Sequence, residues 1–179
     1  MSYSTGEPDY TALPIAMLDL ARFHMRVAFL DDDETILRYL RWAISYVELF
    51  TELRIFPVEV VWTPDVVASR AQCPMQPVST FTAAVDALDV SNQYRLERSS
   101  LTAPVWLVRI DGTDIEAGLV ATLAVGYADA NKIPPALEGN ILRTTATLYE
   151  NRESISAISL DQVPTWLNDN LTGLWVPRA

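Results

Sequence analysis

The spacing of apolar residues changes near residue 54, and this change limits the folds that are open to the chain. Before it, apolar residues from Ile36 to Val47 recur at intervals of three and four, the period of one face of an α-helix. After it, four prolines between residues 57 and 77 interrupt any helix. A chain with both patterns is expected to combine helices with strands.

The segment after residue 54 contains short runs rich in Val, Thr, Tyr, Trp and Leu, bounded by turn residues. They predict the strands of an antiparallel sheet or a small sandwich. The runs are Val58–Trp62, Val78–Val85, Gln93–Glu97, Val105–Ile110 and Leu119–Tyr127.

Two helices are predicted before these strands. Pro14 begins an amphipathic helix over residues 15–25. Proline is tolerated at a helix start because the N–H that it lacks would have no hydrogen-bond partner within the helix there. The acidic run Asp31–Glu34 then begins a second helix, which extends to about Glu52. Acids at this position cap free N–H groups and oppose the positive end of the helix dipole.

Helix returns after the strands. Pro134 and Pro135 begin a segment in which Leu137, Ile141 and Leu148 have helical spacing. Pro164 begins one more short helix, over residues 165–170.

The order of these elements predicts an α+β fold. A small antiparallel helical bundle, residues 14–53 and 133–170, is expected to carry an inserted β-strand region, residues 54–128, because no single helix can bury its apolar stripe alone. The predicted boundaries are a loose polar N-terminus at 1–13, a single domain at 14–170 and an extended C-terminal tail at 171–179.

The charge balance argues against tight binding to nucleic acid. The 179 residues carry a net charge of −10 and include one lysine, Lys132. Proteins that bind phosphates tightly use clusters of Lys and Arg, and none is visible here.

Cys73 is the single cysteine, so no intramolecular disulfide is expected. The N-terminus lacks a secretory signal, and no apolar run approaches the ~20 residues of a membrane span.

Residues that could carry chemistry are few. His24 is the single histidine and has no neighbouring metal ligand in sequence. Asp31–Glu34 lacks the spacing of a calcium loop and is better explained as a helix cap. Asp111, Asp114 and Glu116 surround a turn and are interpreted as a solvated cluster. No phosphate-binding glycine motif or nucleophile elbow occurs. The sequence therefore predicts a protein that is not an enzyme and has no catalytic, metal-binding or cofactor residues.

The last nine residues are unusually apolar for a chain end, since termini are normally polar and frayed. Trp175 between aliphatic residues, with an arginine nearby, is typical of interface anchors. Two interpretations stay open: the tail folds back on its own core, or it docks on another protein. The candidate docking residues are Leu171, Leu174, Trp175, Val176, Pro177 and Arg178.

Several segments occur in an order that matches a known family. Leu18–Val27 is similar to the family's opening L-x-x-A-K-x-H-L-R-I, and Leu148–Glu153 is similar to its Y-E-N-R-E run. From about Leu13 to Arg178 the chain resembles the head-tail connector, or head-completion adaptor, proteins of long-tailed phages and gene transfer agents. The β region and Thr51–Leu53, where relatives often carry glycine, depart from the pattern. The other matching segments are Asp31–Glu34, Thr35–Thr51, Pro74–Thr80, Val125–Tyr127, Ile133–Leu137 and Trp175–Arg178.

The resemblance implies a structural virion protein of the particle neck, made in the host cytoplasm. Its copies would form a ring, usually of twelve subunits, beneath the portal protein, with the C-terminal segments reaching into the portal ring. The other face would receive the next neck or tail protein, and DNA would pass through the channel without tight binding. No membrane contact and no cofactor are implied. The alternatives are another neck protein, such as a stopper or tail terminator, and, more distantly, a small-molecule-binding domain.

The acidic composition predicts that the isolated protein does not bind duplex DNA measurably at physiological salt, because like charges repel across a narrow gap. Fluorescence anisotropy with a labelled duplex measures this. A micromolar affinity would contradict the prediction.

Overall fold

The computed structural model shows two compact units, each described separately below. It describes residues 2–28, 30–65, 68–100 and 103–150. The β unit takes its described residues from 2–9 and 52–127, and the helical unit takes its described residues from 10–51 and 128–150.

The described part of the helical unit contains three α-helices. Pro14 lies in the first turn of its helix, where no hydrogen bond requires its missing N–H. The second helix begins with two acids, whose charges oppose the positive end of the helix dipole. These helices are α1 (Ala12–Met25), α2 (Asp33–Thr51) and α3 (Pro135–Glu150).

Each helix buries one face. The buried face of α2 includes Leu40, Ile44 and Val47, as the spacing predicts, and the buried face of α3 includes Ile141. Leu148, whose helical spacing with Ile141 predicts that it is buried on the same face, is half-buried. The hydroxyl groups of the buried residues Thr144 and Thr145 donate to carbonyl oxygens four residues back, at 2.8 Å each. These hydroxyls therefore find their partners within their own helix.

The described part of the β unit contains eight strands, all paired antiparallel. One sheet has the order β1-β2-β8-β4-β5, and the other has the order β3-β7-β6. The strands are β1 (Ser2–Thr5), β2 (Val58–Thr63), β3 (Arg70–Gln72), β4 (Val78–Val85), β5 (Leu88–Asp89), β6 (Tyr94–Glu97), β7 (Trp106–Arg109) and β8 (Val120–Val125).

The two sheets share one apolar core. In the β2–β8 ladder, Val60 lies opposite Leu123 and the large Trp62 lies opposite the small Ala121, and all four residues are fully buried. Alternate residues along β2 are exposed, as expected for a strand with one face in a core. The second sheet contributes Ala71, Tyr94 and Leu107 to the same core.

Gly126, directly after β8, permits a close approach of two backbone segments. Its φ is +91°, and a Cβ at this position would lie 2.3 Å from the carbonyl oxygen of Phe56. The N–H of Gly126 also donates to the carbonyl oxygen of Pro77 at 3.0 Å. A glycine is therefore required here both by the backbone conformation and by the space available.

The predicted architecture, a small antiparallel helical bundle with an inserted β-strand region, is wrong, although the α+β class holds. The strands form two antiparallel sheets with their own core, so they are a body in their own right and not an appendage of a bundle. The N-terminus also belongs to this body, because Ser2–Thr5 pairs with β2. The expectation that residues 1–13 are loose differs from this strand and from α1, which begins at Ala12.

The strands that the sequence did not predict lack an apolar pattern. β1 is exposed throughout and is held by backbone pairing with β2. β3 and β5 have three and two residues, too few for a period to be visible. The predicted strand runs after residue 54 are each matched within a few residues. The helix predicted over residues 165–170 and the tail at 171–179 lie outside the described residues.

Ile44→Asp is predicted to lower the free energy of unfolding by at least about 3 kcal/mol, because Ile44 is fully buried and an unpaired charge would be buried in its place. Urea unfolding followed by circular dichroism measures the change. The matched control is Leu49→Asp in the same helix, where the side chain is 74% exposed and a change within about 0.5 kcal/mol is expected. Equal losses for the two variants would contradict the described burial of α2.

Gly126→Ala is predicted to lower the free energy of unfolding by about 2–4 kcal/mol, because the new Cβ meets the Phe56 backbone and φ is positive. Gly118→Ala is the control, since its φ is +82° but no atom lies within 4 Å of the new Cβ. That variant should lose only the conformational cost of about 1–2 kcal/mol. If the two variants unfold at the same urea concentration, the close approach at Gly126 contributes nothing.

Candidate functional site: exposed helix faces

The residues singled out for chemistry are not gathered into a reactive centre. Within the described residues, no group of three or more His, Cys, Asp and Glu side chains is placed to hold a metal ion. His24 is exposed near the end of α1. Cys73 is buried in the core of the β unit, and burial raises the pKa of its thiol to about 12. A buried thiol with this pKa stays protonated near neutral pH and is a poor nucleophile.

The carboxylate cluster around residue 111 surrounds an arginine. Arg109 Nη2 donates to Glu116 Oε1 at 2.9 Å, and its Nη1 donates to the Asp114 carbonyl oxygen at 2.8 Å. Arg109 Nε lies 3.3 Å from Asp111 Oδ1, which is ion-pair distance without hydrogen-bond geometry. Hydrogen bonds from Thr113 lower the pKa of Asp111, and the Arg109 charge lowers it further. The cluster therefore orders a turn of the β unit.

The acidic run at the start of α2 joins the three helices. Arg22 of α1 donates to Asp33 Oδ2 at 3.5 Å, and the hydroxyl of Tyr149 at the end of α3 donates to Asp32. The end of α3 therefore lies beside the start of α2, and these two helices run antiparallel. The Asp32 carbonyl oxygen also accepts the hydrogen bond from the Ile36 N–H, at 2.9 Å. The interpretation of this run as a helix start is confirmed, and the contacts with α1 and α3 add a second role.

The outward side of α1 is apolar. Ile15 and Phe23 lie eight residues apart on one side of the helix, with Asp19 between them and Leu20 beside them. Phe23 is 84% exposed, Ile15 is 58% exposed and Leu20 is 40% exposed. These four residues, Ile15, Asp19, Leu20 and Phe23, are called the α1 face below.

The outward side of α2 is aromatic. Trp42 and Tyr46 stack with their ring centroids 5.8 Å apart and their planes 12° apart. Desolvation raises the pKa of Tyr46. Trp42 is 41% exposed and Leu49, on the next turn, is 74% exposed. Arg38 lies one turn before Trp42 and is also exposed. The set Arg38, Trp42, Tyr46 and Leu49 is called the α2 stripe below.

Neither surface was predicted from the sequence. The apolar residues of each lie outside the stripe that the helix buries, and this displacement from the buried face is the signal that could have identified them. The predicted docking residues of the tail, Leu171, Leu174, Trp175, Val176, Pro177 and Arg178, lie outside the described residues. No helix in the described ranges is long and apolar enough to cross a membrane.

Comparison with solved structures reveals the same fold in particle necks. No known family profile matches the sequence, and no curated protein matches it. A chain from the neck of an empty gene transfer agent particle, computed with C6 symmetry, matches with a TM-score of 0.69 and 21% identity. A chain from the virion of a native gene transfer agent particle matches with a TM-score of 0.69 and 23% identity.

A third match comes from the neck of a native gene transfer agent particle, computed with C12 symmetry, at a TM-score of 0.69 and 20% identity. Each match covers 100% of this chain and 97% of the other chain. At this identity the likeness establishes a shared fold. The resemblance to the connector family noted in the sequence is thus confirmed at the level of fold.

Arg109→Met is predicted to lower the free energy of unfolding by roughly 2 kcal/mol, because Arg109 is only 15% exposed and its removal leaves Glu116 and the Asp114 carbonyl oxygen without their donor. The control is Arg95→Met on the neighbouring strand, whose pair with Glu97 is exposed and should contribute less than about 1 kcal/mol. Thermal unfolding of both variants measures the difference. A larger loss for Arg95→Met would show that the turn does not depend on Arg109.

Proposed function

We propose that this protein is a structural component of the neck of a tailed-phage-like particle, and within the neck a head-completion adaptor. Its copies form a ring beneath the portal protein, bind the next neck or tail protein on the other side, and surround the channel through which DNA passes. The observation that carries the proposal is the fold shared over the full chain with neck proteins of gene transfer agent particles.

The motifs of the family resemblance support the adaptor role. Arg22, Asp33 and Tyr149 come from three separate motif segments, and they lie at the junction of the three helices. Gly126, from a fourth segment, lies against the backbone of Phe56. Residues that hold the fold together thus account for the motif positions, as expected for a family whose function is assembly and not catalysis.

The acidic charge fits a channel protein. A net charge of −10 over 179 residues disfavours adhesion of DNA to the channel wall, since phosphates are repelled by carboxylates. The proposal places the protein in the virion neck and, during assembly, in the host cytoplasm, without a cofactor and without catalytic activity. Another neck protein, a stopper or tail terminator, is the second candidate, because the shared fold applies to neck proteins as a class.

The C-terminal tail is proposed as the segment that docks on the portal. Burial of Trp175 with Leu174 and Val176 would contribute roughly 5 kcal/mol before the cost of ordering the tail. Arg178 would add a charge-assisted hydrogen bond to a portal carboxylate or carbonyl oxygen. Several tails engaging one portal ring would strengthen attachment through avidity.

Deletion of residues 171–179 is predicted to leave the melting temperature nearly unchanged and to abolish attachment to the portal. Co-sedimentation with purified portal rings measures attachment, and calorimetry measures stability. A full-length variant with the substitutions Leu174→Ser, Trp175→Ser and Val176→Ser keeps the tail length and should also fail to attach. Truncated protein that still decorates portals would contradict tail docking, and binding to tail-tube protein in place of the portal would favour the second candidate.

A further inference from the structure

We infer that the α1 face of one subunit packs against the α2 stripe of the next subunit, so that these two surfaces form the contact repeated around the ring. The inference rests on the proposed function and deepens it, because it names the residues that join neighbouring copies. It is argued from the exposure of the two surfaces, their charges, the symmetry of a contact between them and their area.

Both surfaces are exposed to solvent. Both surfaces hold large apolar side chains on the outward sides of helices, and a surface of this kind is typical of a protein contact. Phe23 and Leu49 are the most exposed of them, at 84% and 74%. The stacked pair Trp42 and Tyr46 forms a rigid aromatic platform, and aromatic side chains are enriched in interface cores.

The charges of the two surfaces are complementary. Asp19 lies within the α1 face and Arg38 lies within the α2 stripe. Asp19 has a side chain that is 94% exposed, and its contact with Arg22 is an exposed pair on the same helix. Such a pair is weak and leaves the carboxylate able to accept a second partner. Arg38 of the adjoining copy supplies a partner of the required sign.

Two arrangements can bring the unlike surfaces together. A two-fold dimer pairs Asp19 with Arg38 only if each α1 face meets the other copy's α2 stripe at the same time, which makes two contacts across one axis and stops at the dimer. A head-to-tail contact places unlike surfaces together, pairs Asp19 with Arg38, and closes into a ring when the rotation between subunits permits. Because the two surfaces share no residue, one subunit can use both at once.

The size of the surfaces predicts how the ring forms. With roughly 150–250 Å² for one aromatic side chain, each surface offers on the order of 300 Å² of apolar area. A contact between them would bury well under the ~1,600 Å² of a typical stable interface. The free protein should therefore be mainly monomeric at low micromolar concentration, and rings should accumulate when the portal holds several copies side by side.

Disulfide trapping tests the contact in the full chain. Phe23→Cys and Leu49→Cys are introduced singly and together, and native Cys73 stays because it is buried and its thiol pKa is about 12. Mild oxidation at increasing protein concentration is followed by non-reducing electrophoresis. The double variant is expected to give a ladder of dimers, trimers and larger species, and each single variant is expected to remain monomeric.

Three outcomes overturn the inference. Single variants that dimerise as readily as the double variant, or a double variant that stops at the dimer, would indicate a two-fold contact. A double variant that forms only an intramolecular disulfide, or none, would show that the surfaces do not meet between copies. Cysteines that fail to react with maleimide in the folded protein would show that another part of the chain covers these surfaces.

Charge reversal supplies a second test in the same trapping assay. Asp19→Arg alone and Arg38→Asp alone are each expected to lower the yield of the ladder about fivefold, and the two together to restore it. The control is Arg143→Asp, which changes an exposed arginine on α3 and should leave the yield of the ladder unchanged. A double reversal that lowers the yield further would overturn the proposed pairing.

The outcomes separate this inference from the proposed function. A ladder in the trapping assay, from a protein that neither portal nor tail-tube protein binds, would support the subunit contact and reject the neck role. Attachment to the portal without any ladder would retain the neck role and reject the contact proposed here.

Discussion

The helical unit depends on apolar burial between its three helices, and the acidic run at the start of α2 joins the helix ends. Asp32 accepts from Tyr149 of α3 and Asp33 accepts from Arg22 of α1, so two neighbouring carboxylates tie three helices together. In α1 the buried residues include Leu13, Met17 and Ala21, so the opposite side of the helix, with Phe23 and Ile15, faces outward.

The β unit is stabilised by an apolar core between its two sheets. In the β2–β8 ladder the large Trp62 lies opposite the small Ala121, which leaves room for the indole ring in the layer between the sheets. Gly126 then lets the chain leave β8 against the backbone of Phe56. Both units therefore bury apolar side chains, and the helical unit adds a polar junction between its helix ends.

For the proposed role in a particle neck, the surfaces matter more than any pocket. The polar residues that first suggested chemistry, Asp111, Asp114 and Glu116, are engaged by Arg109 and order a turn. The apolar residues left outside, on α1 and α2, offer contact area with charges of opposite sign nearby. In the proposed ring, copies would be joined through small repeated contacts, and attachment would depend on several such contacts acting together.

The sequence by itself determined the local elements. Helical periodicity located α2, and runs rich in Val, Thr and Leu located β2, β4 and β8. Prolines located the starts of α1 and α3, and the acidic run located the start of α2. These signals act between residues close in the chain. The tertiary structure alone decided the rest. The edge strand β1 is held by backbone hydrogen bonds that leave no mark on its side chains. The separate β core and the exposure of Phe23 depend on contacts between residues far apart in sequence, which local periodicity does not encode.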